Sequence, residues 1–147
     1  MTEGRKIVCR NRRATFLYHI ESRVEAGIAL MGSEVKSLRA GQADLSDAYA
    51  AFEEGELWLV SAHIAEYVNA GYMNHQPKRR RKLLLHRTEL TRLHVKLAER
   101  GYTIVPVSIY FSSGKAKVEL GLARGKRKVD RRETIRKRDQ AREERRR

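Results

Sequence analysis

The chain has 147 residues, 41% of them hydrophobic, enough for one globular domain with its own core. Its net charge of +14, with 34% charged residues, points to a polyanionic partner, and to nucleic acid before membrane, because no apolar run approaches the ~18 residues of a spanning helix. Cys9 is the only cysteine, which excludes an internal disulfide or a multi-cysteine metal site, and residues 1–13 lack the apolar stretch of a signal peptide, so a cytoplasmic chain is expected.

In chain order, residues 1–13 are polar and basic, with Ile7 and Val8 the only anchor, and predict a flexible arm. Thr15, Phe16, Tyr18 and Ile20 predict a strand over residues 14–20. A second strand is expected over 23–31, with Gly27 marking a bulge or a sharp bend. Gly32-Ser33 breaks it. Residues 34–39 then read as a short helix capped by Ser33, with Val35 and Leu38 facing inward. Residues 48–52 and 56–61 flank Glu53-Glu54-Gly55 and predict a hairpin with Trp58 buried.

The polar loop 66–77 leads into five consecutive cations, Lys78 to Lys82, which read as a phosphate-binding rim. A helix follows over 87–100, with Leu90, Leu93 and Leu97 on its apolar face and Gly101 closing it. Residues 102–111 are strongly β-forming, and Pro106 demands an edge or a bulge there. After the turn at Ser112-Ser113-Gly114, the last strand covers 116–123. Lys117, Glu119 and Gly121 share one of its faces, Val118, Leu120 and Leu122 the other.

These elements predict a mainly β fold with flanking helices: a small antiparallel closed β-barrel of the oligonucleotide-binding type over residues 1–123. Residues 124–147 form a separate basic tail. It carries thirteen Lys/Arg against five acids, and after Val129 its only large apolar side chain is Ile135. Glu133/Lys137 and Glu143/Arg147 are well-oriented i, i+4 pairs, yet no apolar face exists to dock a helix. The tail is expected to be disordered alone and helical against a polyanion.

The five histidines show no metal-ligand spacing, and no nucleotide-hydrolysis or acyl-transfer motif occurs. The expectation is a binding protein: no enzyme, no cofactor, no metal. A structural rRNA-binding ribosomal protein would share the charge, the barrel and the tail. The RNA that co-purifies with the tagged chain separates the readings.

Five stretches taken together add a specific identity of class. They are Asn11 to Ala14, Glu25 to Ile28, Gly32 to Arg39, Arg81 to His86, and Gly125 to Arg132. In this order they resemble the SsrA-binding protein (small protein B) family, the protein partner of bacterial transfer-messenger RNA. The resemblance spans nearly the whole chain. It implies an oligonucleotide-binding-type barrel that binds the tRNA-like domain of transfer-messenger RNA. It also implies delivery to stalled ribosomes for trans-translation, with the basic tail in the decoding site and mRNA channel, and a chain that is a monomer when free.

Carried onto matching positions, the resemblance implies RNA contacts at Glu25, Leu84, His86 and Lys117, and ribosome contacts at Lys126, Arg127, Lys128, Asp130, Arg131, Arg132, Arg136 and Lys137. The tail departs from the family pattern at Val129, where His or Tyr is usual. Arg131 stands for a lysine, which keeps the charge and changes the hydrogen-bond fork.

Overall fold

The structure, a computed structural model, describes residues 5–99, 101–125, 135–140 and 142. The chain opens with β1 (Arg5–Arg10), which pairs antiparallel with a strand near the other end of the chain. The amino-terminal stretch expected as a flexible arm is therefore a sheet edge from Arg5 onward. Ile7 faces out while the consecutive Val8 and Cys9 both pack on the core, because the register of β1 shifts between Ile7 and Cys9.

The strand expected over 14–20 is corrected to a helix, α1 (Arg12–Leu17), followed by β2 (Tyr18–Ile28). The cause is Asn11. Its Oδ1 accepts the Ala14 amide at 3.2 Å as an N-cap, and its Nδ2 donates to the Leu45 and Pro106 carbonyls at 3.0 and 2.9 Å. Gly27 lies in regular register, and the bulge in β2 falls instead between Ile20 and Ser22.

Next comes α2 (Gly32–Arg39), whose N-cap is Met31 rather than Ser33; the Met31 amide donates to Glu34 Oε1 at 2.7 Å. Ser33 is buried and bonds His75 Nδ1 at 2.8 Å. Then β3 (Ala43–Asp44), β4 (Tyr49–Glu53), β5 (Glu56–Val60) and β6 (His63–Ile64) precede a 3-10 segment at Val68–Met73. Next are β7 (Arg81–Leu84), α3 (Arg87–Leu97), β8 (Tyr102–Ser112) and β9 (Lys115–Gly125). The helix expected to run to Arg100 ends at Leu97, with Ala98 as its C-cap. The bulge demanded by Pro106 is present, between Pro106 and Ser108 opposite β9.

Hydrogen-bonded neighbours run β8-β4-β5-β7-β2-β9, and β9 pairs with β8 again; β1 adds to β8, and β3 pairs with β6 in a separate ribbon. The inward sides of these strands bring Leu57, Leu59, Leu83, Ile104, Ile109, Val118 and Leu120 into one core, with Leu38 of α2 and Leu93 of α3 against it. Burying each such side chain contributes about 1.5–3 kcal/mol. Trp58 was expected there, but the β5 alternation buries Leu57 and Leu59 and turns Trp58 outward, 4.8 Å beneath the Arg80 guanidinium.

β9 continues past the boundary expected at Ala123. Arg124 pairs with His19 and Tyr102, and its guanidinium lies 4.3 Å from the Tyr102 ring. Lys126, Arg127, Lys128, Asp130, Arg131 and Arg132 lie outside the described residues, and with them most of the expectation of a disordered tail. Residues 135–140 are helical and exposed, with Arg136 and Lys137 among them, and Arg138 reaches to 5.4 Å from the Phe16 ring. Among the described residues, no helix is long and apolar enough to cross a membrane.

Candidate nucleic-acid interface

Alternation along three neighbouring strands builds the site. In β2, Ala26 and Ile28 point into the core, so Glu25 and Gly27 face outward. In β9, Val118 and Leu120 are buried, leaving Lys117 and Glu119 outside. In β7, Leu83 is buried and Leu84 stands 51% exposed. Register then gathers them, because Gly27 is opposite Leu84 on one edge and opposite Lys117 on the other.

The missing side chain at Gly27 is what makes a hollow. A Cβ there would meet Leu84 Cβ at 3.3 Å and crowd the floor. The result is an open depression of about 650 Å³ whose walls include Glu25, Leu84, His86 and Lys117, with Phe111, Val35 and Glu89. His86 reaches it from the N-cap position of α3, where its amide donates to Glu89 Oε1 at 3.3 Å. All four body positions expected to touch RNA thus line one surface. Leu84 is no core residue. Among the described residues Lys117 makes no ion pair, and it lines the depression.

Glu25 is held from beneath. The Tyr110 hydroxyl donates to its Oε2, and Arg5 lies 3.6 Å from the same oxygen. Arg5 also sits 3.9 Å above the Tyr110 ring and 3.8 Å from Glu119. Burial, then the Glu25 carboxylate, push the Tyr110 hydroxyl up to about 12, so it stays a proton donor. The sequence offered no sign of this support, because the three residues come from β1, β2 and β8.

The cationic run 78–82 is different from the rim it was expected to form. Arg81 is fully buried: its Nε donates to Glu34 Oε2 at 2.5 Å, and its terminal nitrogens to the Ala62 and Pro77 carbonyls at 2.8 and 3.1 Å. Arg79 donates to the other Glu34 oxygen at 2.5 Å. Burial pushes the Glu34 carboxyl up, but the hydrogen bonds from Arg79, the Met31 amide and Arg81 outweigh it and hold it below its ordinary value of 4.5. Arg80 pairs with Glu53 at 2.5 Å and Lys82 with Glu56 at 2.9 Å. Four of the five cations are therefore joined to acids of the same chain. Among the described residues, no group of three or more His, Cys, Asp or Glu gathers as a metal site.

The comparisons with known proteins agree with one another. The family described as "SmpB protein" matches residues 8–147. The chain is 53% identical to the SsrA-binding protein of Arthrobacter sp. (strain FB24) over 140 residues, 95% of this chain and 90% of that protein. It is 50% identical to the SsrA-binding protein of Solidesulfovibrio magneticus over 136 residues, 92% of this chain and 88% of that one. A solved structure described as "tmRNA-SmpB: a journey to the center of the bacterial ribosome" superposes with a TM-score of 0.70 at 51% identity, covering 87% of this chain and 94% of its own.

Proposed function

The chain belongs to the SmpB protein family, and on that premise we propose that it binds the tRNA-like domain of transfer-messenger RNA and delivers it to stalled ribosomes for trans-translation. One observation carries the reading: Glu25, Leu84, His86 and Lys117, far apart in sequence, converge on one depression floored by Gly27. Each has chemistry for RNA. Lys117 meets a phosphate, Leu84 packs on a sugar or base face, Glu25 accepts from base or ribose donors, and His86 stacks or hydrogen-bonds. The chain catalyses no reaction; it binds and places an RNA in the cytoplasm, and is a monomer when free.

The circuit of strands that returns from β9 to β8 supports a closed barrel of the oligonucleotide-binding type as the body. The tail, taken as residues 126–147, is the ribosome-facing part: Lys126, Arg127, Lys128, Arg131, Arg132, Arg136 and Lys137 place their charge in the decoding site and the mRNA channel. With Val129 ahead of Asp130, that contact relies on charge and shape rather than on an aromatic stack.

Truncation after Gly125 tests this division. The shortened chain is expected to unfold at the same temperature and to bind a transcript of the tRNA-like domain with unchanged affinity, while peptide tagging on stalled ribosomes in a purified translation system is lost. Normal tagging by the truncated chain would sink the assignment of the tail.

A further inference from the structure

Tyr110 occupies an unusual place for its type. The neighbouring Ile109 belongs to the core cluster, so Tyr110 lies on the opposite, outer side of β8, yet it is fully buried. What covers it is polar: the Arg5 guanidinium over its ring and the Glu25 carboxylate on its hydroxyl. Across the sheet, Tyr110 is opposite Ile7 of β1 and Lys117 of β9, so it stands next to the depression without lining it. Both Tyr110 and Arg5 engage the same carboxylate oxygen, Oε2, and among the described residues no hydrogen bond reaches Oε1.

We propose that Tyr110 and Arg5 are positioning residues for Glu25, locking one carboxylate oxygen to the sheet and presenting the other, Oε1, to the depression as a fixed acceptor. This rests on the reading of Glu25 as an RNA contact and adds what that contact selects. A carboxylate accepts only, so the group seated against Oε1 must donate: the amino or imino edge of an unpaired base, or a ribose 2′-hydroxyl. The tyrosine is the apt support. Its buried hydroxyl remains protonated, and its ring gives Arg5 a face to lie on, so the cation neutralises Glu25 from below without blocking it from above.

The geometry predicts coupling, which a double-mutant cycle reads directly. Tyr110→Phe keeps the ring beneath Arg5 and removes only the hydroxyl. Its affinity for a transcript of the tRNA-like domain is expected to fall about 3- to 10-fold, the range of one hydrogen bond's net worth. In a Glu25→Ala background the same substitution is expected to change affinity less than 1.5-fold, since the acceptor it orients is gone. Arg5→Met, which keeps an apolar stem over the ring, is expected to behave likewise, and it covers the case in which Tyr110→Phe lowers the unfolding temperature.

Equal losses from Tyr110→Phe and Arg5→Met with and without Glu25 would mean that both act on the fold alone, and the positioning role would be wrong. A Glu25→Ala chain that binds as tightly as the parent would overturn the Glu25 contact itself, and the positioning role with it. Replacing single 2′-hydroxyls in the transcript by hydrogen identifies the donor: a substitution whose effect disappears in Glu25→Ala marks a ribose, and coupling to a base analogue lacking its amino group marks a base edge.

Discussion

Two cationic regions of this molecule look interchangeable in the sequence and are opposite in the fold. The run 78–82 has five positive side chains in a row, and Lys117 stands between Ala116 and Val118. Yet four of the five are paired with acids, Arg79 and Arg81 with the buried Glu34 and Arg80 and Lys82 with Glu53 and Glu56 at the surface, while Lys117 has no ion pair among the described residues. Charge density along a chain does not measure charge available at a surface. What decides is whether the neighbouring strands and helices bring acids to meet the cations, and those acids come from 26 to 47 residues away.

The comparison breaks most visibly at Arg81. Arg81→Ala leaves Oε2 of the buried Glu34 carboxylate without its donor, and the expected loss of stability in urea unfolding is about 3–5 kcal/mol. A loss under 1 kcal/mol would mean that Glu34 finds other partners and that the pair is no part of the fold's integrity. The same pair sets an acid limit. Because the folded Glu34 carboxyl is held below its ordinary value of 4.5, its contribution is complete above that value and disappears as pH falls through the lowered folded value. Unfolding temperature followed from pH 6 to pH 2.5 is expected to drop more steeply for the parent than for a Glu34→Gln chain over the acid end.

Lys117→Ala should do the reverse, leaving the unfolding temperature within a degree or two while weakening RNA binding. The slope of log affinity against log salt is expected to shrink by about 0.7–0.9, one phosphate's worth. The smallest effect belongs to Arg80→Ala. Its pair with Glu53 is roughly half-exposed on both sides, so the change in stability is about 0–1 kcal/mol, and the salt slope of RNA binding should not move. A change in slope at Arg80 equal to that at Lys117 would erase the distinction between the two regions.

Local chemistry made the hairpins legible. Glu54-Gly55 and Ser113-Gly114 both take positive φ, at 53° and 79°, and at 51° and 76°, the geometry of a tight turn between twisted strands. The apolar face of α3 and the bulge at Pro106 were legible for the same reason. What escaped was whatever a distant segment decides. β-formers at Thr15 and Phe16 went into α1 because Asn11 is fixed by carbonyls of Leu45 and Pro106. Trp58 lost its place in the core to Leu57 and Leu59 by a single step of alternation.

The interface was half-legible. Outward positions such as Lys117 follow from period two, but the meeting of Glu25, Leu84 and Lys117 depends on register across β7, β2 and β9, which only the family resemblance anticipated. Tyr110 beneath Glu25 had no local signal at all. A buried tyrosine on an outer face is visible only once its cover, from the first strand, is in place.

The pairing of the chain's beginning with its end also sets a timetable for folding. β1 and β2 find most of their partners in β8 and β9, and Asn11 closes on a carbonyl 95 residues away. As the chain emerges during synthesis, its first two strands must wait with their apolar sides uncovered while everything between is made. Such long-range closure is slow, since loop entropy is lost before the contacts form. The wait exposes strand edges to wrong pairing or to chaperones. Only when residues 102–125 are free does the sheet complete itself, so maturation is gated by the release of the last two strands.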